Sequence, residues 1–368
     1  MKKIRISITL QHFIRRLRLT LNHLGIRRNR TIVFAAPTDF HFQHILPVIR
    51  QLEGKPRLSI TIITVPDWHR CPDIKNAVFM SEAQFQQKKW RFIDVLLVTE
   101  FASVPWWFCS GLRIGLFHGA GPKKGYLEIL GQGGIDVVFS PGPTFLRLQR
   151  NIVKDSPAQK TRVIPIGLPA LDDLYLTTQR RKKPANDKPL ILYAPSWHVD
   201  PSLIAMDEIF LQQLSTLEDY HIMIRPHPNL LVPEKCAGTD WRQILKRYEH
   251  DGFEVSIEGS TYDQLHRADA MIGDYSSVLF EYLIFDRPGF IYASEDLLNT
   301  VLFPSTVPPL MAAYTHIQTT DRLSDVIAAG MVATARLREA RQELTDDSFY
   351  NLGTASAVAA KKIMHLAC

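Results

Sequence analysis

A chain of 368 residues with 46% hydrophobic and 22% charged residues is ordinary for a soluble globular enzyme, and its length favours two domains. No apolar run approaches the roughly 18 residues needed to span a bilayer, and the N-terminus lacks the apolar core and cleavage site of a secretory signal. Cys71, Cys109, Cys236 and Cys368 are far apart and fit no zinc spacing, so they read as reduced cytosolic thiols.

The formal net charge of +6 is uneven. Residues 1–30 carry nine Lys or Arg and no Asp or Glu, so the remainder sums to −3. Within 1–30, Leu10, Phe13, Ile14, Leu17, Leu21 and Leu24 recur at helical spacing, Arg15, Arg16 and Arg18 lie mostly off that face, and Gly25 is a stop. A basic amphipathic helix suits an anionic membrane surface. The plainer alternative is a helix on the protein's own core. Nucleic acid is not expected as a partner, because no basic pattern continues downstream.

From residue 31 onward strands and helices alternate. Thr31–Ala36, Leu58–Val65, Asp94–Val98, Arg113–Phe117, Asp136–Phe139 and Arg162–Ile166 read as buried strands, with helices at Phe42–Glu53, Ala77–Lys89, Gly125–Leu130 and Thr144–Val153. Thr178–Lys188 is polar, charged and contains Pro, and reads as a linker. The alternation restarts with strands at Leu190–Tyr193, His221–Arg225, Phe253–Ile257, Ala268–Ile272 and Gly289–Tyr292. Helices are expected at Ile204–Leu217, Trp241–Tyr248, Tyr262–His266 and Ser277–Ile284, with a helical tail over Leu323–Ala329, Thr334–Leu344 and Thr354–Leu366. The pattern predicts an α/β protein of two doubly wound, Rossmann-like domains, 31–180 and 189–368, facing a cleft, with the final helix free to cross back.

Four motifs follow predicted strands. Gly273-Asp274-Tyr275-Ser276-Ser277 turns a strand into a helix, where free N–H groups favour phosphate, and Glu281 lies one turn deeper on the face of Ser277. A simple N-cap would explain the serines but not Glu281. Phe117-His118-Gly119-Ala120-Gly121-Pro122-Lys123-Lys124 joins a histidine, glycines that admit close approach and two cations. In Arg225-Pro226-His227-Pro228 two prolines fix where the imidazole points, and Arg225 can fork onto phosphate. Tyr193-Ala194-Pro195-Ser196-Trp197-His198 ends the first strand after the linker. Gly167-Leu168-Pro169 reads as a turn and domain exit.

In this order the motifs resemble the CDP-glycerol glycerophosphotransferases of teichoic acid synthesis, of primase or polymerase type. The matching residues are His118-Gly119 with Lys123-Lys124, Gly167-x-Pro169-x-x-Asp172, Tyr193-Ala194-Pro195-Ser196-Trp197, Arg225-Pro226-His227-Pro228, Asp274-Tyr275-Ser276-Ser277-x-x-x-Glu281, and Phe349-Tyr350 with Gly353-x-Ala355-Ser356. Ala170, His198, Gly273 and Ala120-Gly121-Pro122 depart from the usual family forms. The resemblance implies a GT-B fold, peripheral attachment to the cytoplasmic face of the cell membrane, and transfer of glycerol phosphate from CDP-glycerol to a hydroxyl of a lipid-linked or polymeric glycan, releasing CMP. It marks His118 and His227 as the catalytic histidines.

On that basis His118 is the expected general base, with His227 and Arg225 on the phosphate charge. Asp274, Ser276, Ser277 and Glu281 are expected to hold the donor, Glu281 at the ribose. Gly119, Lys123, Lys124 and Ser196 are candidate phosphate or acceptor contacts. No paired-acid metal motif is evident, so no tightly bound metal or cofactor is expected, with loose Mg²⁺ on the diphosphate left open. The rivals are a CDP-ribitol donor, a nucleotide-sugar glycosyltransferase, and an inactive membrane-bound scaffold.

Overall fold

The computed structural model describes residues 30–64, 72–87, 93–99, 111–180, 187–318, 320, 322–332 and 334–367. The expected basic helix lies outside the described residues. Among those described, the strands are β1 (Arg30–Ala35), β2 (Leu58–Thr64), β3 (Ala77–Ser81), β4 (Val95–Val98), β5 (Leu112–Leu116), β6 (Val137–Ser140), β7 (Arg162–Pro165), β8 (Leu190–Ala194), β9 (His221–Ile224), β10 (Phe253–Val255), β11 (Ala270–Gly273), β12 (Gly289–Ile291) and β13 (Thr315–His316). The α-helices are α1 (Asp39–Leu52), α2 (Glu82–Gln87), α3 (Lys124–Glu128), α4 (Pro143–Lys154), α5 (Asp172–Arg180), α6 (Glu208–Ser215), α7 (Trp241–Lys246), α8 (Thr261–Arg267), α9 (Ser277–Glu281), α10 (Glu295–Val301), α11 (Val307–Ala313), α12 (Leu323–Met331), α13 (Ala335–Ser348) and α14 (Ala355–Leu366).

Two parallel sheets result. One runs β3-β2-β1-β4-β5-β6-β7 and the other β10-β9-β8-β11-β12-β13. Every residue of β4, β6, β8 and β11 is buried, which is why these strands are continuous apolar runs rather than alternating ones. Asp94, Asp136 and Asp269 each accept the N–H of a residue at the start of the neighbouring strand, Thr31, Arg113 and Leu190 respectively. These bonds pin the amino edges. The strand order reverses between β1 and β4 in one sheet and between β8 and β11 in the other, and ligand crevices open at the carboxyl ends of such switch points.

One compact unit holds the described residues of Met1–His118, Leu127–Asp173 and Phe349–Cys368. Its core packs Phe34, Leu97 and Ile114 of the sheet with Ile45 and Ile49 of α1 and Ile363 of α14. α14 joins this core because Asp172 caps it. The two carboxylate oxygens of Asp172 accept the Ala355 and Ser356 N–H groups at 3.0 and 2.7 Å, a negative charge at a helix start. The Tyr350 N–H reaches the Pro141 carbonyl at 2.7 Å and the Asn351 amide the Ile166 carbonyl at 3.0 Å. Gly167-x-Pro169-x-x-Asp172 and the closing Phe349–Ser356 stretch are thus two halves of one structural clasp.

The other unit comprises Gly119–Tyr126 and Leu174–Ser348. Its core centres on Tyr193, Ile224, Ile272 and Phe290, with Phe210 and Leu214 of α6. Several elements differ from expectation. Ala77–Lys89, expected as a helix, begins instead as β3, because its backbone pairs in register with β2 and Met80 is buried there. Local helix-forming residues lose to tertiary pairing. α11, which carries Pro308 and Pro309 in its first turn where no intrahelical N–H bond is lost, and the two-residue β13 are too short or too proline-rich to show in the periodicity. The expected linker starts late, since α5 continues to Arg180, and 181–186 lie outside the described residues. α14 groups with the unit of β1–β7, and Gly119–Tyr126 with the unit of β8–β13.

Candidate active site

His118 follows β5 and is half-buried. Its Nδ1 lies 3.1 Å from the carbonyl oxygen of Thr99, just beyond β4. A carbonyl can only accept, so Nδ1 carries the hydrogen and Nε2 is the unprotonated nitrogen of the neutral ring. That tautomer is the one a general base needs. The first turn of α1 surrounds it: ring centres lie 4.7 Å away for His41, 5.6 Å for Phe40 and 6.2 Å for His44. Burial, with His118 and His44 adding like charge, pushes His41 down to about 3. Burial likewise pushes His44 down to about 4, with the Phe40 carbonyl opposing. This cluster was not foreseen. Its signal is Phe40-His41-x-x-His44 immediately after β1, two histidines where a strand becomes a helix.

The loop after His118 is held within the second unit. A Cβ on Gly119 would stand 2.7 Å from the Ser277 Oγ, and one on Gly121 2.9 Å. The glycines therefore admit the first turn of α9. Lys124 donates to the Asn299 carbonyl. Lys123 sits over the Tyr275 ring at 5.2 Å; burial lowers its ammonium and Asp274 opposes, although the residue as a whole keeps partial exposure.

Glu281 is 3% exposed. Its carboxylate accepts the Ala120 N–H and hydrogen-bonds the Tyr262 hydroxyl, so it clasps the glycine loop instead of opening onto a ribose. Burial pushes it from 4.5 up to about 8, against both hydrogen bonds. The native state then holds a proton the unfolded chain has shed, so stability falls as pH rises from 4.5 through about 8. Glu281→Gln keeps an oxygen for Ala120 and is expected to be the more stable protein at pH 8, by roughly 3–4 kcal/mol, and nearly level with the native chain at pH 5. Urea unfolding at the two pH values reads this; equal stability at pH 8 contradicts a neutral buried carboxyl.

Asp274 and Ser196 span the switch point of the second sheet, at the ends of β11 and β8. Expected as donor and phosphate contacts, they are instead buried, at 0% and 2% exposure, and the Ser196 N–H donates to Asp274 at 2.7 Å. Burial raises the Asp274 carboxyl, with Ser196, Lys123 and the Ser276 N–H opposing. The pair ties the two loops that form the crevice. Ser276 caps α9, accepting the Val278 N–H at 3.3 Å, and both Ser276 and Ser277 remain partly exposed.

Arg225, expected at phosphate, has carbonyl partners within its own unit. Its guanidinium donates to the carbonyls of Ser256, Glu258 and Gly259 at 3.1, 2.8 and 2.9 Å, so it braces the loop into α8. His227 is exposed and stacks on Trp197, with ring centres 6.1 Å apart and planes at 21°. The Asn229 N–H donates to its Nδ1 at 3.1 Å, so the neutral ring carries its hydrogen on Nε2. In their neutral forms the two motif histidines are therefore set in opposite tautomers, with Nε2 an acceptor in His118 and a donor in His227. Among the described residues no group of three or more His, Cys, Asp or Glu is arranged to hold a metal ion, and no helix is long and apolar enough to cross a membrane.

Two doubly wound parallel units with Gly- and Ser-bearing turns at their carboxyl edges define the GT-B class of α/β fold. The family model for CDP-glycerol:poly(glycerophosphate) glycerophosphotransferases matches residues 144–357, more than half of the sequence, and the chain belongs to that family. It is 25% identical over 192 residues to a teichoic acid ribitol-phosphate primase of Bacillus spizizenii, covering 48% of this chain and 46% of that protein. It is 29% identical over 156 residues to the teichoic acid glycerol-phosphate primase of Bacillus subtilis, covering 39% and 37%. These matches span less than half the length of each relative. The solved wall teichoic acid polymerase TagF shares the fold, with a TM-score of 0.65 and 17% identity over 98% of both chains.

Proposed function

We propose that the protein transfers glycerol phosphate from CDP-glycerol to a hydroxyl of a lipid-linked or polymeric glycan, releasing CMP. The observation that carries this reading is the pair of motif histidines in opposite tautomers. The acceptor oxygen attacks the β-phosphorus, its proton passes to His118 Nε2, and the bond from that phosphorus to the CMP oxygen breaks. His227 Nε2–H donates to phosphate oxygen as charge builds. Ser276 and Ser277 receive the diphosphate, while Glu281, Asp274, Ser196 and Arg225 hold the loops that present them. Phosphoryl transfer depends mainly on positioning and electrostatics, which such an inventory supplies without a covalent intermediate. Loosely held Mg²⁺ on the diphosphate is compatible with this scheme.

A CDP-ribitol donor is the second reading, favoured by the similarity to the ribitol-phosphate primase. Titration calorimetry with CDP-glycerol, CDP-ribitol and a UDP-sugar separates the readings. CDP-glycerol is expected to bind most tightly; tighter binding of the UDP-sugar overturns the donor class. The basic 1–30 segment is proposed to lay the enzyme on the anionic cytoplasmic face of the membrane. Deleting it is expected to abolish flotation with phosphatidylglycerol vesicles, and undiminished flotation rejects that role.

A further inference from the structure

The aromatic cluster on α1 has no part in the transfer scheme, yet it sits at the β1/β4 switch point of the first sheet. His118 is oriented there through Nδ1 on the Thr99 carbonyl. One such bond fixes a ring's direction poorly unless neighbours restrict its rotation. His41 supplies a wall of that kind: its ring meets His118 edge to face, at 4.7 Å and 82°. His41 is itself pinned, with Nδ1 2.7 Å from the Oγ1 of Thr38, the N-cap of α1. Phe40 leans on His41, His44 and His118 at 5.5, 4.4 and 5.6 Å, and buried His44 is tied to the Phe40 carbonyl at 2.8 Å.

We propose that His41 is a positioning residue for the transfer, an aromatic buttress that keeps His118 seated on the Thr99 carbonyl with Nε2 as its basic nitrogen. This rests on His118 being the base. The surroundings agree. His41 and His44, pushed down to about 3 and about 4, stay neutral in the working range, so the proton taken from an acceptor has its place on His118 and not on the wall. His118 Nδ1 faces the Thr99 carbonyl, and the carboxylate on the first turn of α1, Asp39, is exposed. A misplacement of about 1 Å in a reacting group can cost roughly 10²-fold, so loss of a buttress is expected to show in kcat.

The test compares His41→Ala with His41→Phe in the full chain, using CDP-glycerol with bacterial membranes as acceptor. His41→Ala is expected to lower kcat about tenfold with KM for CDP-glycerol within about twofold, and His41→Phe to restore kcat to within about threefold of the native value. Ring ¹⁵N shifts of His118 read its tautomer independently of turnover. A single Nε2-unprotonated form is expected in the native chain and a mixture in His41→Ala. Native kcat in His41→Ala overturns the proposal, and so does equal loss in both variants with the His118 tautomer unchanged. If His41→Ala fails to fold, Thr38→Val, which unpins the ring, carries the same two readouts. Full activity of His118→Ala would reject the base assignment, while the ¹⁵N shifts would still report whether His41 seats the ring.

Discussion

His118→Ala is expected to lower the rate of CMP formation by about 10²–10⁴-fold, the usual contribution of a positioned general base, with binding of CDP-glycerol kept within a few-fold. The ring contributes an unprotonated Nε2 because Thr99 occupies the other nitrogen. The residues proposed to bind donor belong to the other compact unit, so removing this imidazole leaves them intact. His118→Gln is the sharper companion variant, since it keeps polarity without basicity and should be equally impaired. Stopped assays with calorimetry on the same preparation separate chemistry from binding. Near-native turnover in a folded His118→Ala removes the base from the scheme, and lost donor binding would make His118 a donor ligand instead.

Gly167→Ala is expected to cost about 3–5 kcal/mol of stability, a large share of the 5–15 kcal/mol typical of a folded protein. Gly167 has φ of +103°, a region that side chains rarely adopt. An added Cβ would also collide with the Tyr350 carbonyl oxygen and stand 2.7 Å from the Ala355 Cβ. Backbone cannot yield there, because the Tyr350 N–H is bonded to Pro141 and Asp172 holds the start of α14. The loss should appear as a lowered urea midpoint with unchanged donor selectivity in whatever fraction folds. A change below about 1 kcal/mol would mean that the closing segment does not dock at Gly167.

Much of this architecture was legible because parallel strands are buried on both faces and so appear as uninterrupted apolar runs. Val95–Val98, Val137–Ser140 and Leu190–Ala194 are such runs. The elements without a local signal are decided by partners distant in sequence. Ala77–Ser81 is a strand because β2 offers it an edge. The site divides along the same line. The motif residues stand at the carboxyl ends of strands, as their spacing required, but their partners could not be read locally. Arg225 is spent on three carbonyls some thirty residues away, Asp274 faces the Ser196 N–H, and Glu281 faces the Ala120 N–H. That His41 and His44 face His118 follows only from the fold, because histidines on an apolar helix are ordinarily surface or core residues.

The proposed reaction is release of CMP from CDP-glycerol by transfer to a hydroxyl. The most direct measurement is CMP release from CDP-glycerol, CDP-ribitol and UDP-sugars by the full chain, with bacterial membranes as acceptor and His118→Ala as control. CMP from CDP-glycerol, dependent on membranes and abolished in the control, is the predicted result. UDP released from a sugar, with CDP-glycerol untouched although it binds, would contradict it: the fold would stand and the reaction assigned to it would not.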